Sequence, residues 1–335
     1  MRVFHGPANV AGAAGVLSAA QQSLGVEAKS VCFDTGHYKY VADEILPLGI
    51  KSEIRLLTMA RHFDVFHFYF GQSLTMSKLW DIPLLKRLGK KVFLYFCGCD
   101  IRDSKLVIER HPISACAECW PMSCSPNRTA ALEAAAVADG VFVSTPDLLE
   151  FVPDAILLPQ PIDLEKMAKL NQLSDLSSPD SDAPVRIVHA PSDRSIKGTV
   201  HVERSVEELA ASGHDVELVL VEGMSYVESL KVYRTSDLAV DQLLIGAYGQ
   251  FAVELMAMGK PVVCYVRDDL RPHYGDQLPI VSAEPSTLTD VLAKLISDRS
   301  QFARLGREGM DYVASHHGAD VVAARALDCY RGARR

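Results

Sequence analysis

Leu238-Ala239-Val240-Asp241-Gln242-Leu243-Leu244-Ile245-Gly246-Ala247-Tyr248-Gly249-Gln250-Phe251-Ala252-Val253-Glu254-Leu255-Met256-Ala257-Met258-Gly259-Lys260-Pro261-Val262-Val263-Cys264 reads as a buried strand, a glycine loop, a helix and a second buried strand. The apolar run ends in Asp241, and Gly246 and Gly249 admit backbone conformations closed to other residues. The helix spans residues 250–258, stops at Gly259, and is followed by Pro261, which cannot extend it. A helix N-terminus carries N–H groups without intrahelical partners and the positive end of the dipole, so this loop suits a phosphate. Glu254 lies one turn in, on the loop side, where a carboxylate can bind a ribose hydroxyl pair. Local physics alone also allows a plain βαβ unit whose glycines serve tight packing.

Working outward, strand 185–189 leads into the turn Ala190-Pro191-Ser192-Asp193-Arg194-Ser195-Ile196-Lys197-Gly198-Thr199 and then a helix. Arg194 and Lys197 can clamp a diphosphate, one through paired donors and the other as a point charge; a solvated loop is the alternative. Asp241 ends its strand at the carboxyl edge, where ligands of open α/β sheets bind. The first half alternates short apolar runs with helical patterns, as a parallel sheet covered on both faces does. Strands are expected at 2–4, 28–33, 65–70, 91–96, 140–143 and 155–158, and helices at 10–24, 52–62, 77–88 and 128–137. Asn9 is the expected cap of the first helix. Its loop, Gly6 to Gly15, lacks the dinucleotide glycine spacing, and Gly12 and Gly15 can simply let the helix pack closely. His67, inside a strand, reads first as a core residue. The Ser, Asp and Pro-rich residues 174–184 are the clear composition shift and mark a linker.

The 335 residues suffice for about two domains with full cores. Hydrophobic content of 48% with 23% charged residues is ordinary for a globular chain, and a net charge of −8 argues against a nucleic-acid binder. No apolar run has the length of a membrane span and the first residues lack a signal-peptide layout, so a cytoplasmic protein is expected. Lys86, Arg87, Lys90 and Lys91 form either a contact for an anionic membrane surface or a solvated helix end. Five of the eight cysteines, Cys97, Cys99, Cys116, Cys119 and Cys124, crowd a long polar loop. Their spacing suits a structural zinc on four thiolates, with His111 as a substitute ligand. Free or redox-active cysteines, with or without a disulfide, are the alternative.

Tyr248-Gly249, Glu254 and the run Met256-Ala257-Met258-Gly259-Lys260-Pro261-Val262-Val263 resemble the donor-binding signature of GT-B glycosyltransferases, in particular the retaining family 4. The first acid of that signature falls at Gly246 and is missing. Lys197-Gly198 matches the family's Arg…Lys-Gly turn, with Arg194 its only guanidinium. Phe96-Cys97-Gly98-Cys99-Asp100 is similar to a strand ending in His-Gly-Ser-Asp, with Cys97 in place of the His. The first glycine loop, the Ser144-Thr145 turn and Pro159-Gln160-Pro161-Ile162-Asp163 also have counterparts there.

The resemblance implies an α/β fold of GT-B type, two facing Rossmann-like domains with a cleft between them. Residues 1–160 would form the acceptor-side domain, with a Cys-rich insertion at 97–126. Residues 161–184 would be the linker, 185–318 the nucleotide-sugar domain, and 319–335 a last helix crossing back. It implies a hexosyltransferase-type activity, of the kind used in polysaccharide biosynthesis, moving a sugar from a nucleotide-diphosphate donor to a glycan, lipid-linked or small-molecule acceptor. No catalytic cofactor is implied. Asp100, Arg194 and Lys197 would serve catalysis. Gly12, Gly15, Arg194, Lys197, Gly198, Asp241, Tyr248, Gly249, Gln250, Phe251 and Glu254 would hold the donor. A nucleotide-sugar epimerase on the same fold, or a non-catalytic nucleotide-sugar binder, remains the alternative.

Overall fold

A computed structural model of the chain describes residues 1–75, 79–119, 128–172, 183–275 and 277–333. The chain divides into two compact units. One comprises Met1–Asp103, Pro121–Ile162 and His317–Arg335, the other Ser104–Trp120 and Asp163–His316.

The first unit is built on a seven-stranded parallel sheet. Its strands are β1 (Arg2–Gly6), β2 (Glu27–Phe33), β3 (Glu44–Leu46), β4 (Val65–Tyr69), β5 (Lys91–Phe96), β6 (Gly140–Val143) and β7 (Ile156–Leu157). Their order, β3-β2-β1-β4-β5-β6-β7, reverses direction between β1 and β4. The sequence dictates this double covering. On β4, Phe66 and Phe68 enter one core while Val65 and Tyr69 enter another, and on β5 Val92, Leu94 and Phe96 oppose Phe93 and Tyr95. Alternate residues face opposite sides, so a strand apolar at every position must be buried on both. The second core is closed by helix Ala319–Gly332, which contributes Val322, Ala323, Ala326, Leu327 and Tyr330.

Two departures from expectation occur here. The helix expected at 10–24 begins only at Ala13, after a 3₁₀ turn at Val10–Gly12. Gly12 has φ +80, a left-handed conformation that ends the turn, while the Asn9 side chain accepts from Ala14 N at 3.1 Å. Strand β3 was not expected, because three residues opened by an acid carry little periodic signal.

Lys86, Lys90 and Lys91 are tied inside this unit. Lys86 Nζ lies 2.5 Å from Asp139, Lys90 Nζ donates to Phe63 O at 2.6 Å, and Lys91 Nζ donates to Ala333 O at 2.6 Å. Among the described residues no helix is long and apolar enough to cross a membrane.

The second unit has a five-stranded parallel sheet of β8 (Val185–His189), β9 (Val216–Leu220), β10 (Leu238–Val240), β11 (Val262–Cys264) and β12 (Val281–Ser282), in the order β12-β11-β10-β8-β9. Its direction reverses between β8 and β10. Ligands of open α/β sheets bind outside the carboxyl ends of strands at such a reversal. Ser104–Trp120 groups with this unit because Ala115 N donates to Leu244 O at 2.7 Å and Arg267 bonds His111 at 2.7 Å. Of the linker expected at 161–184, residues 173–182 lie outside the described residues, and Leu164–Gln172 forms a helix.

Candidate functional site

The turn after β8 and the loop after β10 meet at the reversal of the second sheet. Asp193 caps the short helix Arg194–Lys197, its side chain accepting from Ser195 N at 2.9 Å and Ile196 N at 3.1 Å. Gly198 ends that helix at φ +75, where a Cβ would crowd Leu244 Cγ at 3.2 Å. The turn aims Lys197 inward. Its Nζ donates to Gln242 Oε1 and stands 3.8 Å from Asp241 Oδ1, with the lysine side chain 16% exposed and the aspartate 2%. Asp241 Oδ2 accepts from Gly249 N at 2.7 Å, and the Gln242 amide donates to Ala247 O.

Gly249 is the centre of this cluster. A Cβ on it would lie 3.4 Å from each of Asp241 Oδ2, Gln242 Oε1 and Lys197 Nζ. It precedes helix Gln250–Ala257 as the N-cap residue. A cation, a carboxylate, an amide and a helix N-terminus thus converge on one small residue. A lysine and a helix N-terminus are groups that can bind an anion, and here the lysine is held by Gln242 and Asp241.

Glu254, on the same helix, is 4% exposed. Burial pushes its carboxyl up to about 8, against the bonds from Tyr226 and Gln250 and the nearby Lys166, which favour the charged form. Lys166 itself sits 4.4 Å over the Tyr226 ring.

Other expected donor residues take different places. Arg194 is claimed by two carboxylates, Glu203 and Glu222, the latter at 2.9 Å. The two cations of the turn therefore face different partners, and the expected Arg194–Lys197 clamp is not formed. The Tyr248 hydroxyl lies 3.1 Å from that of Tyr312, and Phe251 packs edge-on against Tyr233 with centroids 5.0 Å apart. Both side chains belong to the core, so only their main chain is left to serve a donor. Gly246 has φ +82, and a Cβ there would lie 2.4 Å from Arg267 Cγ. The Arg267 chain thus fills the space beside Gly246.

In the first unit, Asp100 is 1% exposed and accepts from Gly98 N at 2.7 Å and Cys97 N at 3.1 Å. Burial pushes its carboxyl up to about 6, against those bonds. A Cβ at Gly15 would strike Val41 O at 2.1 Å, and one at Gly12 would meet the Tyr40 ring at 3.3 Å. Close packing accounts for both glycines, against the chain at 40–42. His67 is fully buried, with Nδ1 bonded to the Tyr330 hydroxyl.

Among the described residues no three His, Cys, Asp or Glu side chains gather as a metal requires. Cys97 and Cys99 belong to the first unit, Cys116 and Cys119 to the second, and Cys124 lies outside the described residues. Among the described residues Cys97, Cys99, Cys116 and Cys119 form no disulfide, and burial pushes the Cys97 thiol pKa up.

Gln242, which ends its strand beside Asp241, was not among the expected donor residues. Its position beside Asp241 at the strand end was the available signal.

No family model matches the chain, and no curated protein does. Solved structures do, over nearly its whole length. Anabaena Alr3699/HepE in complex with UDP-glucose is similar at a TM-score of 0.64 and 12% identity, covering 98% of each chain. Sucrose-phosphate synthase from Thermosynechococcus elongatus gives 0.57 and 14%, covering 94% of this chain and 91% of that one. A Listeria monocytogenes protein provisionally assigned as a UDP-N-acetylglucosamine 2-epimerase gives 0.60 and 14%, covering 98% and 95%. With its two parallel sheets and these likenesses, the chain has the GT-B fold seen in glycosyltransferases.

Proposed function

We propose that the protein transfers a sugar from a nucleoside-diphosphate sugar to an acceptor hydroxyl, with retention as the family resemblance implies. The observation that carries this reading is the convergence of Lys197, Asp241 and Gln242 on Gly249 at a helix N-terminus and a sheet reversal. In the transfer, the bond from the anomeric carbon to the diphosphate breaks, the acceptor oxygen bonds to that carbon, and the acceptor's hydroxyl proton passes to the oxygen of the departing diphosphate. The diphosphate gains negative charge as it departs, and Lys197 with the N–H groups that begin helix Gln250–Ala257 neutralises it. Glu254 holds the ribose hydroxyls. Arg194 reaches the diphosphate only by giving up Glu203 and Glu222. Asp100, filled by N–H groups of its own loop, keeps the acceptor-side loop in shape.

The Listeria likeness favours a second reading, epimerisation of the donor sugar on the same fold. Incubation with donor alone separates the two: an epimer appears for one, and only slow nucleotide release for the other. Thermal stabilisation by a panel of UDP, GDP, ADP and dTDP sugars tests the shared premise. One nucleotide sugar is expected to raise the midpoint, with the effect weakened in Glu254→Ala. No shift with any of them would end both readings, and unchanged nucleotide affinity in Glu254→Ala would end the ribose role.

A further inference from the structure

Within the loop between β10 and Gly249, the run Leu243-Leu244-Ile245-Gly246-Ala247 has no polar side chain. It cannot fix its own backbone, so its shape depends on hydrogen bonds that other segments supply. Leu243 N donates to Lys197 O at 3.2 Å, and the Gln242 amide donates to Ala247 O. Leu244 O accepts from Ala115 N at 2.7 Å, and Gly246 O accepts from Arg267 N at 2.9 Å.

Residues 104–119 reach this loop twice. Ala115 opens the short helix Ala115–Glu118, which Ser114 caps by accepting from Cys116 N at 3.2 Å. His111 closes the helix Ser104–Arg110, its N–H donating to Val107 O at 2.9 Å. Arg267 is 7% exposed and binds Asp269 through Nε at 3.0 Å and Nη2 at 2.7 Å, while Nη1 lies 2.7 Å from His111 Nε2. A guanidinium keeps its protons in a protein, so His111 Nε2 is the acceptor and the ring proton sits on Nδ1. A Cβ at Gly246 would lie 2.4 Å from Arg267 Cγ, so the arginine stem and the loop backbone rest directly on one another.

We propose that His111 is a positioning residue of the donor site. It braces Arg267 and, together with Ala115 N, clasps the apolar loop in the shape that receives a nucleotide sugar at Gly249. This rests on the sugar-transfer reading above. A loop already ordered by its neighbours binds a ligand without the entropic cost of ordering it then. The clasp continues in sequence from the loop of Asp100, where Ile101 O accepts from Arg128 Nε at 3.0 Å and Arg102 binds Asp147 at 2.6 Å. One stretch of chain therefore runs from a pinned loop of the first unit to the donor loop of the second.

Hydrogen exchange of the full chain without nucleotide, in His111→Ala and His111→Gln, tests the clasp. Glutamine presents an amide oxygen at a similar reach, able to accept from Arg267 Nη1. Amides of residues 243–249 and 267 are expected to exchange roughly tenfold faster in His111→Ala, the scale of one lost bond to a charged group, and at the original rate in His111→Gln. Affinity for the stabilising nucleotide sugar should fall roughly three- to tenfold in His111→Ala and return in His111→Gln. The clasp is overturned by exchange indifferent to His111→Ala, by a loss that His111→Gln does not restore, or by faster exchange spread over residues 185–316. Nucleotide-sugar affinity equal in all three proteins also overturns it. If nucleotide sugars still stabilise the protein in any of those cases, the donor reading survives. Faster exchange confined to the loop and restored by glutamine, with no response to any nucleotide sugar, keeps the clasp and removes the transfer.

Discussion

Gly15 and Gly249 stand at the starts of helices in the two units, and they are glycines for opposite reasons. At Gly15 the protein itself forbids a side chain, because a Cβ would lie 2.1 Å from the Val41 carbonyl oxygen. At Gly249 the backbone is extended, with φ −106, and a Cβ would meet its neighbours at 3.4 Å, ordinary contact. Nothing steric requires glycine there. What the missing side chain leaves is room among an ammonium, a carboxylate and an amide. A glycine that packs and a glycine that makes way look alike in a sequence and are told apart by what surrounds the absent Cβ.

The largest expected effect comes from the cation at the open glycine. Lys197→Ala removes the one ammonium in contact with Gln242 and Asp241, leaving Asp241 buried without its countercharge. Release of nucleotide from a turned-over donor should fall roughly a hundredfold or more, the scale of a lost charge-stabilising group. Turnover within a few-fold of the unmodified protein would remove Lys197 from the mechanism and reduce the contrast between the glycines to packing.

The glycines themselves give the second test. Gly15→Ala should lower unfolding stability by about 1 to 3 kcal/mol, since Val41 must retreat, and leave nucleotide affinity unchanged. Gly249→Ala should do the reverse, staying within about 0.5 kcal/mol in stability while weakening nucleotide binding. Chemical denaturation and titration with UDP-glucose on the same two proteins read both quantities. A Gly15→Ala protein of normal stability that no longer binds nucleotide would invert the assignment.

How much of this was legible in the sequence follows from the reach of each interaction. The central strands were plain, because Val65–Tyr69 and Lys91–Phe96 are apolar at nearly every position and leave no alternative to a doubly covered sheet. The pairing of Lys197 with Asp241 was not, because Lys197 lies in the short helix Arg194–Lys197 beyond β8 and only the folded turn aims it at the end of β10. Arg194 was misplaced because Glu222, 28 residues further on, competes for it, and charge in a turn says nothing of a distant carboxylate. The cysteines could not be judged in the same way, since Cys124, one of the five, lies outside the described residues. Ser104–Arg110 and Ala115–Glu118 went unseen as helices, being short and without a buried stripe.

The two units also differ in how they keep a buried carboxyl. Asp100 in the first is pushed up to about 6 and Glu254 in the second to about 8, both by burial. An acid whose folded pKa is raised binds a proton that the unfolded chain has released, so stability falls as pH rises from the unfolded value through the folded one. For Asp100 that loss is largely complete near pH 6, and for Glu254 it continues to about pH 8. The buried His5, His67 and His189 act oppositely, since burial lowers their pKa, and their contribution is complete above the ordinary histidine value of 6.5. The window from pH 6.5 to 8 therefore isolates Glu254 from these groups. Across it the unmodified protein should lose on the order of 1.5 kcal/mol relative to Glu254→Gln, which carries no proton to release. Denaturant midpoints of the two proteins at pH 6.5, 7.2 and 8 measure the divergence. Parallel midpoints would mean that Glu254 is ionised throughout, compensated by Lys166 and the Tyr226 hydroxyl. A ribose would then meet a carboxylate that only accepts hydrogen bonds, in place of a carboxyl that also donates one.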